Sequence, residues 1–209
     1  MSRASVLLRS DQVLGALDAL LKAERIADAY EAEFYQIHNL KGAAWRRVGD
    51  LEHAQKEFES AIEIDPEGFR PGYNLAEVLF IRANWKAAHS RYSILMDEFG
   101  VADEVGAWQM NKATERLIWL RILICRLKLG RLSEALRLMR KVHHLDDVPD
   151  FYLGNAAIEF SSGNPNEATM WIGSAKRIYG KNAVKKALEV FVEAGWLEHP
   201  SSAEEGLVL

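Results

Sequence analysis

Gly49-Asp50-Leu51-Glu52-His53-Ala54-Gln55-Lys56-Glu57-Phe58-Glu59-Ser60-Ala61-Ile62-Glu63-Ile64-Asp65-Pro66 reads as one turn followed by one helix. Ala54, Phe58, Ala61 and Ile64 stand three and four residues apart, the period of a helix with a single apolar face. Glycine with a polar partner ends the preceding helix and turns the chain. Asp65-Pro66 stops the helix, because proline disfavours a helical residue before it.

The pattern returns along the chain. A shift of 34 residues carries Gly49 to Ala83, Ala54 to Ala88, Phe58 to Tyr92 and Ala61 to Leu95. A shift of 33 carries Gly130, Ala135, Met139 and Val142 to Gly163, Ala168, Ile172 and Ala175. A period of this length marks stacked helix hairpins, each too small to bury its apolar face alone. The small residue (Ala54, Ala88, Ala135, Ala168) suits a close crossing of the two helices. The larger apolar residue four places on fills the space beside it. Gly130-Arg131 and Gly163-Asn164 supply further turns.

Composition agrees. The chain has 209 residues, 49% apolar and 27% charged, with five prolines and no strand-like alternation of β-branched residues, so the fold class is all-α. A net charge of −4 is too small to imply a nucleic-acid surface. The most apolar run, Leu117–Leu129, is interrupted by Arg121, Arg126 and Lys128, so no membrane span is expected. One cysteine, Cys125, forms no internal disulfide. Without a signal-like apolar stretch near Met1 the chain reads as cytoplasmic, or as exported if a signal peptide has been trimmed.

These residues resemble the tetratricopeptide repeat (TPR) family, most closely over Gly49–Pro66. In the first helices Gly42 and Ala76 stand at the family's small position, and Trp45 and Leu79 at its aromatic position. Leu75 takes its leucine, which the first repeat replaces by Lys41. The resemblance implies a right-handed α-solenoid of TPR hairpins with a C-terminal capping helix. Full repeats fall at Tyr35–Gly68, Phe69–Ala102, about Arg116–Val148 and Pro149–Asn182. Residues 1–34 then form an N-terminal helix or half repeat whose first helix is missing, and 35–102 form repeats one and two. An insert occupies 103–115, degenerate repeats three and four occupy 116–182, and a capping helix and tail occupy 183–209. Leu188, Phe191, Val192 and Trp196 mark the apolar side of that cap. The stretch from Phe151 through Trp171 to Trp196-Leu197 is similar to the end of a group of uncharacterised bacterial TPR proteins. That likeness suggests a bacterial source and implies no activity.

A search for chemistry finds none to bet on. His143-His144 precedes Asp146-Asp147, but neighbouring helical residues point about 100° apart and share one ion poorly. A helix C-terminus followed by an acidic turn accounts for the cluster. Cys125 sits among Ile122, Leu123 and Ile124 as one more apolar side chain. Gly154, Gly163 and Gly173 are too widely spaced to cradle a phosphate. No catalytic residue, metal site or cofactor is expected.

The resemblance implies a groove lined by successive first helices, and hence a protein or peptide partner of unknown identity. The family's groove positions are Gln36, Asn39, Ala43 and Arg46 in repeat one, then Arg70, Tyr73, Glu77 and Phe80 in repeat two. Gln36, Asn39, Arg46, Arg70, Tyr73, Glu77 and Phe80 are the candidate binding residues, with the arginines suited to carboxylates and the rings to an apolar anchor. In repeat three Leu117, Leu120, Ile124 and Leu127 read as core, covered by the insert or the terminal helix. The family's carboxylate clamp is matched only at Asn74 and Arg121, so chaperone-tail binding by that route is rejected. The leading reading is a non-enzymatic interaction scaffold or adaptor, monomeric or homodimeric. The alternatives are a self-assembling structural protein, with Trp85, Trp108 and the N-terminal half repeat at its interface, or a chaperone for a secreted client.

Overall fold

Apolar spacing becomes helix throughout. The computed structural model describes residues 2–26, 31–100 and 110–198, and no strand occurs among them. The chain divides into two compact units, Met1–Gly100 and Val101–Leu209. The first holds α1 (Ser2–Arg9), α2 (Val13–Ile26), α3 (Glu31–Arg47), α4 (Leu51–Ile64), α5 (Phe69–Ile81) and α6 (Trp85–Phe99). The second holds α7 (Lys112–Lys128), α8 (Leu132–Met139), α9 (Asp150–Ser161), α10 (Pro165–Tyr179) and α11 (Lys181–Glu193). Within each unit consecutive helices pack as hairpins, α1 on α2, α3 on α4, α5 on α6, α7 on α8 and α9 on α10.

One turn closes each hairpin. Gly49 has φ +82°, its N–H donates to the Arg46 carbonyl at 3.1 Å, and the Asp50 N–H donates to Trp45 at 3.0 Å. This paired bond satisfies the last carbonyls of α3 and requires a left-handed residue. The same two bonds recur at Ala83-Asn84, Gly130-Arg131 and Gly163-Asn164. They recur also at Asp11-Gln12, where Asp11 has φ +59°. That last turn corrects the expectation of a missing first helix. The eight residues of α1 supply it, shortened, and the turn escaped notice because aspartate stands in place of glycine. Side chains start the helices that follow: Asp50 accepts the His53 N–H at 3.0 Å, and Asn111 accepts that of Thr114 at 2.9 Å.

The repeat positions are core. Ala54, Phe58, Ala61, Ala88, Tyr92, Leu95, Ala135, Ala168, Ile172 and Ala175 are all buried. The closeness of the crossing is measurable at Gly42, where a Cβ would lie 2.6 Å from the Phe58 ring. Leu8, Ala16, Leu17 and Ala44, with Leu7, Val13, Leu40 and Trp45 around them, tie α1 and α2 onto α3.

In the second unit α11 packs against α10 and α7. Its buried stripe is Val184, Ala187, Val190 and Phe191, whereas Leu188 and Val192 are half-buried. Phe191 and Trp196 lie against Phe160 with ring centroids 5.6 Å apart in each case. Leu120, Ile124 and Leu127 are buried, and Leu117 is half-buried. Helix α7 begins at Lys112, within the expected insert. Residues 103–109 of the insert, Trp108 among them, and 199–209 of the tail lie outside the described residues.

Candidate functional site

All seven candidate residues lie on the neighbouring helices α3 and α5, and among them the structure joins Arg46 to Glu77. Asn39 and Asn74 join the helices, the Asn74 Nδ2 donating to the Asn39 Oδ1 at 3.0 Å. Asparagine carries two donors and an acceptor with two lone pairs, so this bond leaves each amide further capacity. Two turns further along α3, Arg46 is ion-paired with Glu77 of α5. Gln36 and Arg70 are exposed at the start of the same face. Tyr73 is half-buried and stacked on Phe69 with centroids 5.7 Å apart, and Phe69 meets Phe99 edge-on at 5.3 Å.

Three candidates need correction. Phe80 is fully buried, edge-on to Trp85 and Tyr92, and belongs to the core rather than to a binding face. Its position on α5 is the one turned inward against α6. Glu77 is only 8% exposed and is committed to Arg46, so neither charge stands alone for a partner. The expectation that Arg46 and Arg70 both receive carboxylates therefore contracts to Arg70.

Sequence reading missed what holds this face up from behind. Lys41, the residue in place of the family's leucine, is buried and clasped by Glu57 of α4 at 2.7 Å and Glu24 of α2 at 3.2 Å. His38 reaches the second oxygen of Glu57 at 2.7 Å. Burial opposes the Lys41 ammonium, but the hydrogen bonds and charges of Glu57 and then Glu24 outweigh it and raise its pKa above 10.5. Burial likewise pushes the Glu57 carboxyl up, and the bonds from His38 and Lys41 overcome this to hold it below 4.5. The signal was present in the sequence as a lysine at an apolar position. Its partners, 17 residues before and 16 after, were not legible without the packing.

Charged groups in the second unit also close on one another. Arg121 is buried and bonded to Glu193 of α11 at 2.9 Å, which removes it from any clamp for a peptide carboxylate. A cavity of about 230 Å³ between α7, α9 and α11 has the Arg116–Asp150 pair in its wall, Nε to both oxygens at 3.0 Å. His143 and His144 lie in the connection between α8 and α9, not on a helix as expected, and the His143 N–H is capped by Asp146 at 2.7 Å. Among the described residues no group of three His, Cys, Asp or Glu is placed to hold a metal, and no helix is long and apolar enough to cross a membrane. Cys125 is buried, and burial pushes its thiol up to about 12 despite the nearby Arg121 charge.

Comparison with solved structures gives the fold a name. The chain is similar to a tetratricopeptide repeat protein from Parabacteroides merdae, with 14% identity and a TM-score of 0.50, over 91% of this chain and 69% of that one. The TPR domain of P58(IPK) is 17% identical with a TM-score of 0.32, over 92% of this chain and 55% of that one. No protein-family model and no curated protein matches the chain. The all-α fold of helix hairpins is thus the TPR fold, as the family resemblance implied.

Proposed function

We propose that the chain is a non-catalytic interaction scaffold that holds a protein or peptide segment on the shared face of α3 and α5. The observation that carries this reading is the Asn39–Asn74 bridge, flanked by exposed Gln36 and Arg70 and by half-buried Tyr73. Such a surface offers donors and acceptors to a peptide backbone, one cation to an acidic group and one aromatic ring to an apolar side chain. Behind it the Lys41–Glu57–Glu24 clasp ties α3 to α4 and α2, and on the face itself the Arg46–Glu77 pair ties α3 to α5. A rigid platform loses little entropy when a partner docks.

The test compares wild type with Arg70→Glu/Tyr73→Ala in pull-downs from a lysate of the source organism. Both side chains are at least partly exposed, so the helical circular dichroism is expected to survive the double change. A protein captured by wild type and lost in the variant supports the face and identifies the partner. Capture that ignores both substitutions sinks the proposal.

A further inference from the structure

The cavity between α7, α9 and α11 has no part in the binding face of the first unit. Its volume of about 230 Å³ exceeds the about 150 Å³ at which an apolar protein cavity takes up benzene. Leu117, Leu120, Leu153 and Ala187 supply its apolar wall. Its charged lining is cationic in balance, with Arg116 and Lys186 set against Asp150 alone. Asp150 takes only the Nε of Arg116, at 3.0 Å to both of its oxygens, which leaves the terminal N–H groups of the guanidinium for another acceptor. Lys186 meets Glu189 at 3.1 Å, but both side chains are exposed, and such a surface pair holds its ammonium weakly. Ala113, Asp150 and Asn182, from the first turn of each of the three helices, also line the cavity, and helix N-termini carry partial positive charge. Trp119 belongs to the same wall, and its indole N–H is buried without a hydrogen-bond partner among the described residues. A buried donor left unpaired is uncommon in a folded protein.

We propose that this cavity binds a small organic acid, an apolar body about the size of one aromatic ring joined by a short chain to a carboxylate. The body packs against Leu117, Leu120 and Leu153, and the carboxylate accepts from the terminal N–H groups of Arg116 in the field of Lys186. Two cations then face two anions, Asp150 and the ligand, and the lining is neutral. A cationic ligand would meet Arg116 and Lys186 as like charges. A neutral hydrocarbon would leave the guanidinium donors unused. Charge and hydrogen bonding therefore both select an anion, and the wall selects an apolar one. This inference does not rest on the α3/α5 face, which belongs to the other unit.

Titration of the intact chain with 3-phenylpropionate, followed by its indole N–H signals in a proton–nitrogen NMR spectrum, is expected to move the Trp119 signal with a Kd of about 1 mM or tighter. The signal lost in Trp119→Phe assigns it among the six tryptophans. 3-Phenylpropionamide, which keeps the shape and loses the charge, is expected to bind at least about tenfold more weakly. Propionate, which keeps the charge and loses the ring, is expected to do the same. Ala183→Trp, at an exposed position of the cavity lining, should abolish binding with the helical circular dichroism unchanged. Lys186→Glu should weaken the acid at least about threefold and leave the amide as it was. No movement at about ten times the expected Kd overturns the proposal. So does equal binding of acid and amide, or binding that survives Ala183→Trp. An N-acetylated peptide ending in phenylalanine that binds more tightly than the free acid assigns the cavity to a polypeptide end and overturns it too.

Discussion

Replacing Gly49 by alanine and Ala83 by glycine exchanges the two solutions this chain uses for the same turn. Gly49 has φ +82° and Ala83 φ +56°, and both close the turn with the same pair of hydrogen bonds. A Cβ built on Gly49 meets nothing within 4 Å, so no clash contributes and the effect is one of backbone conformation alone. The left-handed region costs an L-residue about 1–2 kcal/mol relative to its preferred conformation. Removing a glycine returns about 0.4–1 kcal/mol by restricting the unfolded chain. The balance is a loss of about 1 kcal/mol for Gly49→Ala and a gain of similar size for Ala83→Gly. Urea denaturation followed by circular dichroism reads this as midpoint shifts in opposite directions at unchanged slope. The double variant should return near the wild-type midpoint, because each change acts on its own backbone conformation and independent effects add. A neutral Gly49→Ala, or an Ala83→Gly that destabilises, would refute the argument that conformation rather than packing selects glycine here.

Four other outcomes follow from the packing. Gly42→Ala forces a methyl to within 2.6 Å of the Phe58 ring and should cost about 1–3 kcal/mol in denaturant melts, whereas Gly49→Ala carries no such term. Glu57, whose pKa is held below 4.5, contributes stability that is present above that value and lost as the pH falls through its lowered one. Acid titration of Glu57→Gln should therefore show a shallower loss of stability below about pH 4.5 than wild type. Lys41 has the opposite sign: its raised pKa gives stability that is full below 10.5 and lost as the pH rises through the higher value. Cys125, with its thiol pushed up to about 12, should resist a thiol-disulfide reagent in the folded protein at neutral pH and react once urea unfolds the second unit. Rapid labelling of the native chain would contradict its burial.

Local chemistry in the sequence determined the hairpins. A residue that tolerates a left-handed turn, a small residue five places later and a large apolar residue four beyond that specify where one helix ends and how closely the next crosses it. Those are short-range properties, and Gly49, Ala54 and Phe58 display them openly. The first hairpin is harder to read because aspartate, not glycine, takes the left-handed position at Asp11, a weaker signal. Which face is left for a partner was decided by tertiary structure. Phe80 and Tyr73 are both aromatic and both on α5, yet one is sealed against Trp85 and Tyr92 while the other keeps access to solvent. Arg46 and Arg70 look equivalent in sequence, and only folding brings Glu77 to one of them. Lys41 reads as a flaw in an apolar pattern until Glu24 and Glu57 converge on it from helices before and after its own. Spacing along a helix determines what one element buries, but the partner of a charge is set by distances between elements, and those exist only once the hairpins have stacked.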